Sequence, residues 1–275
     1  MDAIERDWVT LEVSDAVGTL TLSAPDQLNA IHEPMMDQLV RRLEDLHGDE
    51  SVRAVIVTGS GRGFCSGAHV GEMAALEDKG SGIYNLLHDG WNRAVRLIRS
   101  MPKPVVSAVN GIAAGGGVGL ALSADMVLAA RSARFIQVFG PKLGVIPDVG
   151  STWLLPQALG RTKALQLMLT GEALDASKAE SWGLISRCVE DDDLAREAFT
   201  LAHELSLGPI DAFVAIRKAV DHGLTSSLDQ TLDHERDTNA RLCAGPDFEE
   251  GTSAFVDKRR PDFTRNSKKK DMLQR

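Results

Sequence analysis

The chain has 275 residues, 43% hydrophobic and 25% charged, enough for one large domain or two modest ones around a sizeable core. A formal net charge of −9 argues against general nucleic-acid binding, although it leaves room for a local basic patch. Cys65, Cys188 and Cys243 are widely spaced with no CxxC pair, the first ten residues lack the apolar stretch of a signal peptide, and no apolar run is long enough to span a bilayer; the expectation is a cytoplasmic protein with free thiols and no membrane partner.

"WVTLEVSDAVGTLTLSAP" alternates apolar and polar residues about Asp15–Gly18, which predicts a hairpin that Pro25 ends. "PMMDQLVRRLEDL" sets Met36, Leu39, Val40, Leu43 and Leu46 at helical spacing, with Pro34 suited to the first turn. "RAVIVTGSG" is a short apolar run closing on glycines, a buried strand. A second amphipathic helix is expected over about residues 83–99, with Leu87, Trp91, Val95 and Ile98 on one face. "KPVVSAVNG" reads as a strand, "GGGVGLALSAD" as a helix entered through glycines, and "MVLAARSARFIQ" as strand again. Strand and helix alternate, so the spacing predicts a largely parallel sheet with covering helices. After Gly150 the pattern is nearly all helical, with "ISRCV" the one strand candidate. The expected organisation is a core over 1–200, a helical region over 201–264 and a frayed basic tail over 265–275.

Two stretches gather backbone donors: "GSGRGFCSGAHVGEM" after the first core strand and "NGIAAGGGVGLALSAD" after the second. Each reads strand, glycines, helix. A helix start offers unpaired N–H groups, and glycine lets a ligand approach them. If the loops are adjacent, their N–H groups can converge on one oxygen, the geometry of an oxyanion hole. Either loop alone is equally consistent with close helix packing through glycine. No complete dinucleotide fingerprint and no P-loop is present, and Ser66 in "GFCSG" falls one place late for a nucleophile elbow. Asp148 in "LGVIPDVGSTW" is the only charged residue from Leu143 to Trp153. A turn residue would explain it; so would a catalytic carboxyl in apolar surroundings.

Taken together, "LNAI", "RAVIVTGSGRGFCSGAHVGEM", "KPVVSAVNGIAAGGGVGLALSADMVLA", "IPDVGSTWLLPQALG", "LTGEALDASKAESWGLIS" and "GTSAFVDKR" resemble the crotonase, or enoyl-CoA hydratase/isomerase, family in order and spacing. The resemblance implies an α/β crotonase (ClpP/crotonase-like) fold of repeated ββα units with a C-terminal helical region. It implies an acyl-CoA thioester substrate, no separate cofactor and no metal, and assembly as a homotrimer or homohexamer. The oxyanion donors carry over to the N–H groups of Ala68 and Gly116. CoA contacts carry over to Asn29, Ala30, Arg62, Ser66, Ala68, Phe255 and Lys258, with Phe255 and Lys258 sharing one helical face. Asn29 would also brace a turn, and His69 follows the donor where many relatives carry Asp.

Hydratases of this family carry two glutamates that position water. The first place is Gly119 here, and the second falls in residues 135–144, which hold no Asp or Glu. "IPDVGSTWLLP" instead resembles the isomerase branch, particularly the epoxyphenylacetyl-CoA isomerases, in which this Asp is the acid/base. The resemblance therefore implies that Asp148 moves a proton beside an enolate. Val145, Ile146 and Trp153 are expected to form the apolar pocket that raises its pKa, and Met73, Leu76, Tyr84, Leu86 and Leu87 to shape the acyl site. Two other readings stay open: a hydratase using Asp148 alone, and a non-catalytic acyl-CoA-binding or RNA-binding relative.

Overall fold

Two sheets, not one, organise the chain as far as Val189 in the computed structural model, which describes residues 6–264. The expected frayed tail over 265–275 lies outside the described residues. In chain order the strands are β1 (Val9–Ser14), β2 (Val17–Leu22), β3 (Ala54–Gly59), β4 (Gly63–Cys65), β5 (Val105–Val109), β6 (Ile112–Ala114), β7 (Met126–Ala130), β8 (Arg134–Ile136), β9 (Ala173–Asp175) and β10 (Arg187–Val189). They form a six-stranded sheet, β1-β2-β3-β5-β7-β10, and a four-stranded sheet, β4-β6-β8-β9. The pairs β3–β4, β5–β6 and β7–β8 each send a longer strand to the large sheet and a three-residue strand to the small one. This is the ββα repeat, and it corrects the single parallel sheet expected from strand–helix alternation. Three residues cannot display a period of two, so β4, β6 and β8 read as parts of glycine loops or of their neighbours.

The hairpin of β1 and β2 turns through Asp15 and Ala16, both at positive φ (49° and 60°), as a tight two-residue turn requires. The helices are α1 (Glu33–Gly48), α2 (Val70–Ala75), α3 (Lys79–Asn85), α4 (Asn92–Ser100), α5 (Gly116–Leu122), α6 (Ser151–Thr170), α7 (Ala176–Ser181), α8 (Leu194–Ser206), α9 (Ile210–Gly223), α10 (Leu228–Cys243) and α11 (Pro246–Asp257). Met36, Leu39, Val40, Leu43 and Leu46 of α1 are all buried, and the His32 imidazole caps its N-terminus by accepting from the Met35 N–H. The single helix expected near 83–99 is instead α3 and α4 joined by a π-helical turn, Leu86–Trp91. α6 bends at Gly160, whose φ of 74° is not helical.

The boundary expected at residue 200 falls inside α8, which packs across β2, β3, β5 and β7 and belongs to the core. The helical region therefore starts with α9. Arg217 of α9 ties it down: its guanidinium donates to both Asp125 carboxylate oxygens and to the carbonyls of Arg99, Met101 and Lys103. Such a planar fork satisfies several acceptors in one fixed geometry. Among the described residues no single helix is long and apolar enough to cross a membrane; one bent helix pair passes that test by length and composition only, with a 105° bend.

Candidate active site

β4 and β6 lie side by side and parallel in the small sheet, with Gly63 opposite Ile112 and Cys65 opposite Ala113. Both glycine loops therefore leave neighbouring strand ends in the same direction. They touch: a Cβ built on Gly67 would lie 3.0 Å from the Ala114 carbonyl and 3.3 Å from the Gly116 nitrogen. Gly67 also sits at φ 95°, so this close approach and its backbone conformation both call for glycine.

Ala68 is aimed by its neighbours. The Ile31 N–H donates to the Gly67 carbonyl (2.8 Å), and the His69 N–H donates to the Ile31 carbonyl (2.9 Å). Successive peptide groups of an extended chain face opposite sides. The Ala68 N–H therefore points away from Ile31. Gly116 is the first residue of α5, where an N–H has no partner within the helix. Neither N–H has a hydrogen-bond acceptor among the described residues.

Ala68, Gly116 and Asp148 line one cleft. Apart from Ser66 and Asp148, its side chains are apolar, among them Met73, Leu86, Leu87, Trp91, Phe139 and Leu143. Burial among them pushes the Asp148 carboxyl up to about 6. The direction is the one expected, but the surroundings differ. Val145, Ile146 and Trp153 are 53%, 78% and 41% exposed and do not line the cleft; the Trp153 ring instead lies beside the Arg99 guanidinium. Leu76 and Tyr84 are also absent from the lining, and Tyr84 is 66% exposed. In a segment that changes direction at each glycine, closeness in sequence says little about which way a side chain points.

Asp148 is held by the turn that follows it. Its carbonyl accepts from the Ser151 N–H (2.9 Å). Val149, fully inside the core, has φ 52°, an unusual conformation for a β-branched residue. Val149 is wedged against α5. A Cβ on Gly119 would lie 2.1 Å from the Val149 carbonyl oxygen, and one on Gly116 would lie 3.1 Å from its Cγ2. Gly119, where the resemblance puts the first hydratase glutamate, is thus closed by the backbone of the turn that carries Asp148.

The other expected site residues divide. Ser66 lines the cleft, with its hydroxyl donating to the Gln27 carbonyl. Arg62 is exposed and lies outside the cleft lining, as does Ala30. Asn29 is fully buried at φ 54°. Its Oδ1 accepts from the Ala24 N–H, and its Nδ2 donates to the carbonyls of Ser60, Gly63 and Phe64. The protein itself engages both ends of this side chain, so Asn29 braces the turn before α1 against the β3–β4 turn, the bracing role expected of it. We expect Asn29→Ala to lose about 2–4 kcal/mol of stability in urea titration, because buried backbone partners are left unpaired. A loss of CoA affinity at unchanged stability would contradict that role.

His69 caps α2, its Nδ1 accepting from the Glu72 N–H (3.3 Å). Cys65 is buried, and burial pushes its thiol up to about 12, which suits packing and not nucleophilic chemistry. Phe255 is 85% exposed on α11. Lys258 lies just past the helix end at φ 53°, so the two do not share a helical face as expected. Neither lines this chain's cleft.

The ββα units thus bring two N–H groups without an acceptor and one carboxyl to the lining of one apolar cleft, in a fold of the crotonase class. The chain belongs to the enoyl-CoA hydratase/isomerase family, whose model matches residues 12–266. It is 41% identical to a 1,2-epoxyphenylacetyl-CoA isomerase of Escherichia coli, over 94% of this chain and 98% of that one. It is 39% identical to a Rhodobacter capsulatus protein named "Probable enoyl-CoA hydratase", over 93% and 97%. The crystal structure of a Mycobacterium smegmatis enoyl-CoA hydratase superposes with a TM-score of 0.86 at 30% identity, covering 94% of this chain and 99% of that one. Family membership carries with it acyl-CoA hydratase/isomerase activity in general and an acyl-CoA-type substrate.

Proposed function

We propose that the chain is an enoyl-CoA isomerase with Asp148 as its only acid/base. The thioester oxygen accepts hydrogen bonds from the Ala68 and Gly116 N–H groups. The Asp148 carboxylate removes a proton from one carbon of the acyl group, and charge moves onto that oxygen as the enolate forms. Asp148 then returns the proton to another carbon. The double bond moves between the β,γ and α,β positions, or an aryl epoxide opens to a ring-expanded enol ether, and the mass is unchanged. In a water-poor site each such donor contributes about 3–4 kcal/mol to stabilising the developing charge.

One observation carries the choice over hydration. Among the described residues Asp148 is the sole titratable side chain lining the cleft, and the Gly119 place is filled by Val149. Identity to named relatives does not separate the two reactions, since 41% and 39% fall to an isomerase and a hydratase. The same reading takes Ser66, Arg62 and the Ala30 backbone as CoA contacts, and a trimer or hexamer as the working assembly. Exposed Ile216, Val220, Leu228 and Leu232 on α9 and α10 support assembly, and the outward Phe255 supports a contact to a neighbouring subunit's CoA.

The test is mass spectrometry of the protein with a β,γ-unsaturated acyl-CoA in heavy water. Deuterium uptake without added water, lost in Asp148→Asn, is the expected result. A product heavier by one water would replace this reading with hydration.

A further inference from the structure

The Ala68 N–H and the Gly67 carbonyl belong to one planar peptide, so whatever holds the carbonyl also aims the N–H. Gly67 is the upstream joint of that peptide, and a glycine at φ 95° does little to fix it. It is held instead by a circuit of hydrogen bonds that closes through two side chains. The Ile31 N–H donates to the Gly67 carbonyl, and the Ile31 carbonyl accepts from the His69 N–H. The His69 imidazole folds back over the first turn of α2, where its Nδ1 accepts from the Glu72 N–H. A Cβ on Gly71 would lie 3.0 Å from the imidazole Cε1 and 3.3 Å from Nδ1, so the side chain packs against the backbone there. The Glu72 carboxylate in turn accepts from the Glu33 N–H (3.2 Å), which returns the circuit to the residues just after Ile31.

Ala68, Val70 and Met73 line the cleft, whereas His69 and Glu72 lie outside its lining. One side of the segment meets the cleft while the other is tied to the start of α1. Ala68 is an oxyanion donor in the function proposed above, and the present inference rests on that reading. We propose that His69, together with Glu72, is a positioning residue for the isomerisation. Its Nδ1 cap fixes the first turn of α2 and, through the Ile31 bonds, the direction of the Ala68 N–H. Loss of the imidazole frees the Glu72 N–H, loosens the hold of the carboxylate on Glu33, and leaves the peptide hinged at Gly67. A preorganised donor is worth most when it already points where charge will develop, so a misdirected one costs rate. The cost is partial, because His32 still caps α1 by accepting from the Met35 N–H and the Ile31 N–H keeps its own bond to Gly67.

The experiment reads the thioester carbonyl itself. Hexanoyl-CoA labelled with carbon-13 at that carbonyl, a saturated probe with no double bond to move, is bound to the full-length protein and its infrared band is recorded. In the parent chain the band is expected at lower frequency than in free probe, because the two N–H donors polarise the bond. His69→Ala and Glu72→Ala should each lose much of that shift; Glu72 is exposed, so its truncation leaves the core untouched. His69→Asn should restore the shift, because its amide oxygen can still accept from the Glu72 N–H. On a β,γ-unsaturated acyl-CoA both alanine variants should turn over about tenfold more slowly with KM within about twofold of the parent, part of the 10²–10³ that removing an oxyanion donor costs. A full parental shift in either alanine variant, or no recovery in His69→Asn, overturns the positioning role and leaves the isomerase reading standing. No shift in the parent chain overturns both.

Discussion

Asp148→Asn will turn over roughly a thousandfold more slowly than the parent chain, with nearly unchanged affinity for acyl-CoA, because positioned proton transfer is worth about 10²–10⁴ in rate. The amide keeps the shape of the turn and its Ser151 hydrogen bond, which uses the main-chain carbonyl and not the side chain. It cannot accept a proton from carbon. The steady-state measurement is kcat and KM on a β,γ-unsaturated acyl-CoA. A variant with kcat within threefold of the parent would remove Asp148 from the chemistry and leave no titratable group among the described residues of the cleft wall to take its place.

The same carboxyl predicts opposite trends for activity and stability. As a base it must be ionised, so kcat/KM should fall about tenfold per unit below a pH near 6, the value to which burial lifts it. For stability the sign is reversed. The folded-state pKa lies above the ordinary value of 3.8, so the folded protein holds the proton more tightly than the unfolded chain. The stabilisation this provides is fully present below about pH 4 and is lost as pH rises through about 6. Asp148→Asn removes the ionisable group. It should therefore be more stable than the parent at pH 8, by about 1–3 kcal/mol, and equal to it near pH 4. A slow but more stable variant is the behaviour of a residue placed for chemistry at some expense of folding. Equal stability at both pH values would mean that the carboxyl is solvated.

These features were unevenly legible in the amino-acid sequence. α1 could be read residue by residue, because a sixteen-residue amphipathic helix repeats its signal several times. Both glycine loops and Asp148 stood out because each breaks its local composition. What could not be read is what depends on approach in space. β4, β6 and β8 are three residues each and take their identity from pairing partners far along the chain. The π-helical turns Leu86–Trp91 and Phe139–Leu143 leave no periodic trace, so Phe139 was passed over and Trp91 was seen only as one position on a helix face. Val145 and Ile146 misled because apolar residues next to a carboxyl in sequence need not surround it. Asn29 was readable as a turn brace, but the reach of its amide to the β3–β4 carbonyls was not.

Gly119 tests whether that approach in space matters. A Cβ there meets the Val149 carbonyl at 2.1 Å and the Val149 Cβ at 2.8 Å, contacts with backbone and a buried branched side chain, not with the tip of a flexible one. Gly119→Ala should therefore cost about 2–3 kcal/mol of stability, the usual cost of overpacking a filled site. The matched control is Gly48→Ala at the end of α1, where an added Cβ meets nothing within 4 Å and the change should be neutral or slightly stabilising. If Gly119→Ala folds, the 148–149 turn must have moved outward, and kcat should fall well before KM rises because Asp148 rides on that turn. The same geometry forbids a simple conversion. Gly119→Glu puts a carboxyl at the first hydratase place, yet it must expel Val149 to do so. We expect it to lose isomerisation without gaining a product one water heavier. A Gly119→Glu chain that kept both the parent's melting temperature and its isomerisation would show that Val149 yields freely, and that Asp148 is held in the cleft by something other than the wedge against α5.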